Sequence, residues 1–198
     1  MLWVSIIELV VLVLTMSIGI RQLVLLRKQM NNQHEERRRE NTTSFMATWC
    51  SSLKKDTCIA EQVARKLNND QCKKLYRHEA FGVAGDIKAD ICKFCPLDKT
   101  LCDKCTLKDK NMVDGKILTE LRWHVVTYLN TLETIMVSWD LGIVDRITIE
   151  EQFAFVRDTS KGETLSQFRH VAGGYPLIEK FIDNTKEKSG APKSELSG

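Results

Sequence analysis

The apolar positions of the chain begin with a single long run at its start. Residues 2–20 are apolar apart from four polar residues, and the run resumes at residues 23–26. A helix of about 20 apolar residues crosses the hydrocarbon core of a bilayer. No basic residue precedes the run and no small-residue cleavage site follows it, so a signal peptide is disfavoured. The pattern predicts an uncleaved, single transmembrane helix over residues 1–26.

A polar segment follows the apolar run. Residues 27–41, RKQMNNQHEERRREN, contain neither proline nor glycine and are rich in residues that favour helices. We expect them to extend the membrane helix as a charged stalk, giving a rod of about 57 Å over residues 2–40. Asn41, Thr42 and Thr43 are predicted to end this rod and to cap the next helix, because short polar side chains accept hydrogen bonds from free helical N–H groups.

The remaining apolar pattern predicts an all-α helical bundle over residues 42–186. Its clearest helix is expected from Lys116 to Asp140, where apolar residues repeat every three or four positions and Gly142 supplies a stop. Thr148 and Glu151 have the spacing of a capping box at the start of a further helix. Two more helices are predicted over 164–171 and 175–186. Residues 92–115 form a Cys-rich insert, and residues 187–198 a disordered tail.

Charge sets the expected orientation and excludes one class of partner. Basic residues follow the apolar run and none precedes it, which predicts that residues 27–198 lie in the cytoplasm. Six of these cations are expected at the membrane interface, near anionic headgroups: Arg21, Arg27, Lys28, Arg37, Arg38 and Arg39. The net charge of +3 is too small to indicate a nucleic-acid surface, so no direct nucleic-acid binding is expected.

Polar and small residues of the apolar run share one seam of the predicted helix. The seam repeats every three or four residues and comprises Ser5, Glu8, Leu12, Thr15, Gly19 and Gln22, continuing in the stalk as Leu26, Gln29, Gln33 and Glu36. A carboxylate facing lipid costs about 2.5–3.5 kcal/mol. The seam therefore predicts a homo-oligomer, as a packed bundle or as a ring around water. The alternative is that Glu8 is hydrated at the outer interface.

Four cysteines form a candidate metal site. Cys92, Cys95, Cys102 and Cys105 make two CxxC pairs six residues apart, and paired thiolates suit tetrahedral zinc. A structural zinc ion is the first interpretation; a redox-active pair and plain reduced thiols remain open. A cytoplasmic location disfavours disulfides. The other cysteines, Cys50, Cys58 and Cys72, lie on apolar helical patterns and are expected in the core.

Enzymatic motifs are scarce. Arg27 and His34 are separated by six residues, the spacing of a HEPN ribonuclease signature, but they lie on the stalk, where basic residues are better explained by lipid headgroups. His124 is expected to make an interhelical hydrogen bond. The chain has no P-loop, dinucleotide fingerprint, serine elbow or HExxH motif.

The opening span SIIELVVLVLTMSIGI and the segment YLNTLETIMVSWDLGIVDRITIEEQF, residues 128–153, carry a resemblance. They resemble the small single-pass membrane accessory proteins encoded beside the RNA-guided effector of type VI-B CRISPR systems, or a related bacterial family of membrane-anchored helical proteins. The resemblance implies a HEPN-like fold, an oligomeric pore in the bacterial inner membrane, and antiviral defence triggered by the partner nuclease. The helical domain lacks the ribonuclease signature, which favours a non-enzymatic role. A membrane-tethered ribonuclease and a passive anchored adaptor are the alternatives.

Overall fold

The computed structural model describes residues 2–83, 85–94, 113, 115–157 and 165–190, without the side chains of residues 2–11, 13, 92–94 and 185–190. Over these ranges the protein is all-α, as the sequence predicts, with eight α-helices, one 3-10 turn and no β-strand. The helices are α1 (Leu2–Ser52), α2 (Lys55–Lys66), α3 (Asn69–Arg77), α4 (Gly85–Phe94), α5 (Gly115–Asp140), α6 (Arg146–Gln152), α7 (Ser166–Ala172) and α8 (Pro176–Gly190), with the 3-10 turn at Ala154–Arg157.

Helix α1 is one continuous helix of 51 residues, about 76 Å long. The predicted break at Asn41–Thr43 does not exist. The hydroxyls of Thr42 and Thr43 donate to the carbonyl oxygens of Arg38 (2.7 Å) and Arg39 (3.0 Å), four residues back in the same helix. Threonine can either cap a helix or bond back within it. Here it does the second, so the stalk and the first helix of the domain are a single element.

The part of the chain described with side chains contains no helix that is both long enough and apolar enough to cross a membrane. The first half of the predicted span, residues 1–11 and Val13, lies outside that part.

Helix α5 is the centre of the domain. It packs against α1, α2, α3 and α8, and its buried side chains include Leu121, Leu129 and Leu132. The helix begins one residue before the predicted start and ends at the predicted Asp140. Gly142 adopts the left-handed conformation (φ 66°), and the N–H of Ile143 reaches back to the carbonyl of Ser138 at 3.1 Å. These features close the helix as the glycine predicts.

Two further helix boundaries differ from the sequence prediction by more than two residues. Helix α6 starts at Arg146 because Asp145 caps it, with Oδ1 accepting from the N–H groups of Ile147 (3.0 Å) and Thr148 (3.2 Å). The capping box expected at Thr148 is therefore wrong. Helix α8 extends to Gly190, past residue 187 where the tail was expected to begin; residues 191–198 lie outside the described residues.

Glu133 fastens α8 to the central helix. Its two carboxylate oxygens accept from the backbone N–H groups of Leu177 (2.8 Å) and Ile178 (3.0 Å), which belong to the first turn of α8. Pro176 occupies the first position of that helix, where no N–H is needed. A carboxylate also interacts favourably with the positive end of the helix dipole.

We predict that Glu133→Ala lowers the free energy of unfolding by about 1–2 kcal/mol, because two N–H groups of α8 lose their acceptor. Urea denaturation followed by circular dichroism measures the change. Glu120→Ala, at an exposed carboxylate on the same helix, is the matched control and should stay within about 0.5 kcal/mol of wild type. Equal effects of the two substitutions would contradict the capping role.

Candidate functional site

The predicted seam residues that have described side chains all lie on the part of α1 outside the domain. Leu12, Thr15 and Gln22 are exposed and Gly19 is half-buried, while the Thr15 hydroxyl donates to the carbonyl of Leu12 at 2.9 Å. The side chains of Ser5 and Glu8 lie outside the described residues. The predicted interface cations are exposed on the same helix: Arg21, Arg27, Lys28, Arg37, Arg38 and Arg39.

A band of large apolar side chains surrounds this part of α1. Exposure is 57% for Leu14, 61% for Ile20 and 68% for Leu23, and similar for the other members, which are Leu12, Met16, Ile18, Val24, Leu25, Leu26 and Met30. Soluble monomers rarely expose apolar patches of more than a few hundred Å². The band therefore needs another surface to cover it.

The aromatic side chain of Trp49 holds the last turns of α1 in the domain. Only 6% of Trp49 is exposed, and its ring centroid lies 5.3 Å from those of Tyr128 and Phe153. Aromatic pairs at this distance contribute about 0.5–1.5 kcal/mol each beyond the area they bury. Within the described residues, Trp49 thus fixes α1 to the central helix α5 near the C-terminal end of α1.

A second contact joins α1 to the turn between α5 and α6. The buried Thr42 hydroxyl accepts from the N–H of Asp145 at 2.8 Å, in addition to its own bond to Arg38. One helical position earlier, the Asn41 amide donates to the carbonyl of Ile143 at 3.2 Å. The turn that follows α5 is therefore attached directly to the stalk.

Next to this contact is an open cleft of about 580 Å³. Its stalk side consists of Glu35, Arg38 and Arg39, and its other side of the α5–α6 turn with the exposed side chains of Leu141 and Ile147. Arg146 also lines the cleft, but its guanidinium is bound to the last carbonyls of α5, at 3.0 Å from Trp139 and 2.7 Å from Asp140. That guanidinium stabilises the end of α5.

His124 makes the interhelical hydrogen bond that the sequence predicts. Its Nδ1 lies 3.1 Å from the hydroxyl of Thr57, a buried residue of α2. Burial is the main cause that lowers the pKa of His124, and the carboxylates of Asp56 and Glu120 oppose it. The arrangement links α2 to α5.

The candidate metal ligands fall where the structure gives no side chains. Cys92 is in α4, but its side chain, and all of Cys95, Cys102 and Cys105, lie outside the described residues. Elsewhere, the described side chains contain no group of three His, Cys, Asp or Glu that could hold a metal. Cys72 is buried as expected, and burial raises its pKa to about 11. Cys50, in contrast, is exposed, and Cys58 is half-buried.

The two residues with the ribonuclease spacing, Arg27 and His34, are both exposed on α1, and the first of its described residues to be buried is Thr42. They are about two helical turns apart on the same side.

Sequence reasoning did not find the junction of Thr42, Asn41 and the α5–α6 turn. Its partners are 102 and 103 residues apart in the chain. The one sequence signal at this junction was the run Asn41-Thr42-Thr43, and it predicted a helix boundary instead of a contact.

Comparison of the chain with protein-family models, with curated proteins and with solved structures finds no match.

We predict that Thr42→Val lowers the free energy of unfolding by about 1–3 kcal/mol, because the partly buried N–H of Asp145 loses its acceptor while the side-chain shape is kept. The matched control is Thr43→Val, an exposed position whose hydroxyl bonds only within α1. Chemical denaturation of both variants measures the difference, and a control as destabilised as Thr42→Val would contradict the junction.

The lowered pKa of His124 predicts a pH dependence. In the unfolded chain its pKa is the ordinary 6.5, so below that pH the unfolded state binds the proton more readily than the folded state. The stability contribution of neutral His124 is complete above pH 6.5 and is lost as the pH falls towards the folded-state pKa. Thermal unfolding of His124→Gln should therefore depend less on pH between 7.5 and 5 than that of wild type. Parallel curves would contradict this.

Proposed function

We propose that this protein is a single-pass membrane protein whose copies assemble through α1 and permeabilise the membrane. Helix α1 anchors each copy, and the helical domain stands on the cytoplasmic side, at the end of the stalk.

The observation that carries the proposal is the exposed apolar band of α1. At least ten large apolar side chains between residues 12 and 30 are more than half exposed, on a helix whose hydrogen bonds to the domain, among the described residues, begin at Asn41. Burying apolar surface yields about 25 cal/mol per Å². A lipid bilayer is the partner whose thickness fits an apolar helix of about 20 residues.

Self-association is supported by the polar positions within this segment. Thr15, Gly19 and Gln22 recur at the spacing of Glu8. Small and polar side chains bring membrane helices together, and a carboxylate inside a membrane favours contact with protein or water over lipid. A ring of such helices gives Glu8 a polar environment and gives ions a path.

The resemblance over residues 128–153 extends the proposal to the physiological role. On this basis the domain is HEPN-like and the location is the bacterial inner membrane. Permeabilisation would act in antiviral defence, with an RNA-guided nuclease as the partner that triggers it. Collapse of ion gradients would arrest the infected cell.

Purified full-length protein, reconstituted into liposomes loaded with a self-quenching dye, tests the permeabilising activity. We expect dye release by wild type and release roughly ten-fold slower for Glu8→Leu, because a ring of leucines in a narrow passage repels water. Ile18→Leu, an apolar exchange in the exposed band, is the matched control and should release dye as wild type does.

A monodisperse monomer in detergent that releases no dye would overturn the proposal. An oligomer that binds membranes but releases no dye would indicate an anchored adaptor instead.

A further inference from the structure

The domain covers only one side of the last turns of α1. Thr42 and Trp49, seven residues apart, are buried, and Phe45 and Met46 are half-buried between them. Since consecutive residues of an α-helix are rotated by about 100°, residues two positions apart are about 160° apart around the axis. Glu40 is two positions before Thr42 and Ala47 two positions before Trp49. Both therefore point away from the domain.

This outward side forms one exposed strip that continues the polar seam. It begins in the stalk and runs along the whole length of the domain contact. We define the outward strip of α1 as Gln33, Glu36, Glu40, Ser44, Ala47 and Ser51, all of which are exposed. Beside the domain its residues are small, which allows another helix to approach closely.

Charges are distributed symmetrically about the strip. Glu36 and Glu40 lie within it, and Arg37 and Arg39 flank it on opposite sides. In parallel coiled coils, each seam residue packs into a hole formed by four residues of the facing helix, and residues beside the seam are among those four. A strip with acidic centre and basic edges is therefore complementary to a second copy of itself: Glu36 of one copy can meet Arg37 of the next, and Glu40 can meet Arg39.

We propose that the outward strip of α1 is the cytoplasmic contact between copies of this chain, held in parallel register by ion pairs of Glu36 with Arg37. The inference rests on the proposed membrane assembly, which requires every α1 to enter the membrane in the same direction. Equivalent residues of all copies then lie at the same height. The domains, on the opposite side of α1, stand at the periphery and do not obstruct the contact.

Disulfide cross-linking of full-length protein in isolated membranes tests this contact. The probe is Ala47→Cys in a Cys50→Ser background, because native Cys50 is exposed nearby. Asn31→Cys, in the same background, is the off-strip control, since it is exposed but lies nearly opposite Gln33 around the helix. We expect oxidation to give more covalent dimer at Ala47→Cys than at Asn31→Cys; equal or lower yield would overturn the proposal.

Charge exchange tests the ion pair. Glu36→Arg should lower the cross-linking yield at Ala47→Cys by about five-fold, the scale of an exposed ion pair, and adding Arg37→Glu should restore most of it. Glu35→Arg is the matched control, because Glu35 is also exposed but lines the cleft on the domain side. A control that lowers the yield as strongly, or a double variant that fails to restore it, would contradict the pairing.

The two proposals can fail separately. Strip-specific cross-linking without dye release by wild type would leave the contact in place and reject permeabilisation. Dye release without strip-specific cross-linking would reject the contact alone.

Discussion

Packing of Trp49 against Tyr128 and Phe153 is the interaction on which the arrangement of this protein depends. Together with the buried Thr42, it fixes the C-terminal end of a 51-residue helix to the domain. Most helical stability in proteins comes from the packing of one face. Within the described residues, the side chains of residues 14–40 apart from Gly19 are exposed, and the apolar band of α1 is uncovered. This asymmetry is the observation on which the proposed membrane anchoring and the proposed assembly through α1 rest.

The junction of Asn41 and Thr42 with the α5–α6 turn also determines which part of the domain a movement of α1 would displace first. Asn41 and Thr42 are bonded to the turn that ends α5 and begins α6, and Asp145 of that turn caps α6. A tilt of the stalk would therefore first displace the C-terminal end of the central helix α5. This turn carries the exposed Leu141, the first turn of α6 carries the exposed Ile147, and both line the cleft beside Arg38 and Arg39. This is the place where domain and stalk are coupled most directly.

Local patterns predicted the helices and the interhelical hydrogen bond of His124, but not the other contacts between helices. The period of α5 and its stop at Gly142 could be predicted because both depend on residues within a few positions. The boundary at Asn41–Thr43 was wrong because the same side chains can cap a helix or bond within it. Asp145 and Thr148, three residues apart, are both suitable N-cap residues for α6. The sequence does not distinguish them, because the backbone conformation determines which side chain reaches the free N–H groups.

Contacts between residues far apart in the sequence could be identified only from the structure. Glu133 holds α8 across 44 and 45 residues of sequence, and Thr42 holds Asp145 across 103. Cys50 is exposed although it lies on an apolar pattern, because the domain packs on another side of α1. The polar seam itself could be predicted from its spacing, but its direction relative to the domain could not, since no sequence pattern specifies which side of a helix the domain covers.

The number of copies in one membrane particle tests the central claim most directly. Full-length protein should be extracted with its surrounding lipid into nanodiscs, without detergent, and its mass measured by native mass spectrometry. Assembly through α1 predicts a single, defined stoichiometry of several copies per particle. One copy per particle, at concentrations where the protein inserts fully, would contradict it.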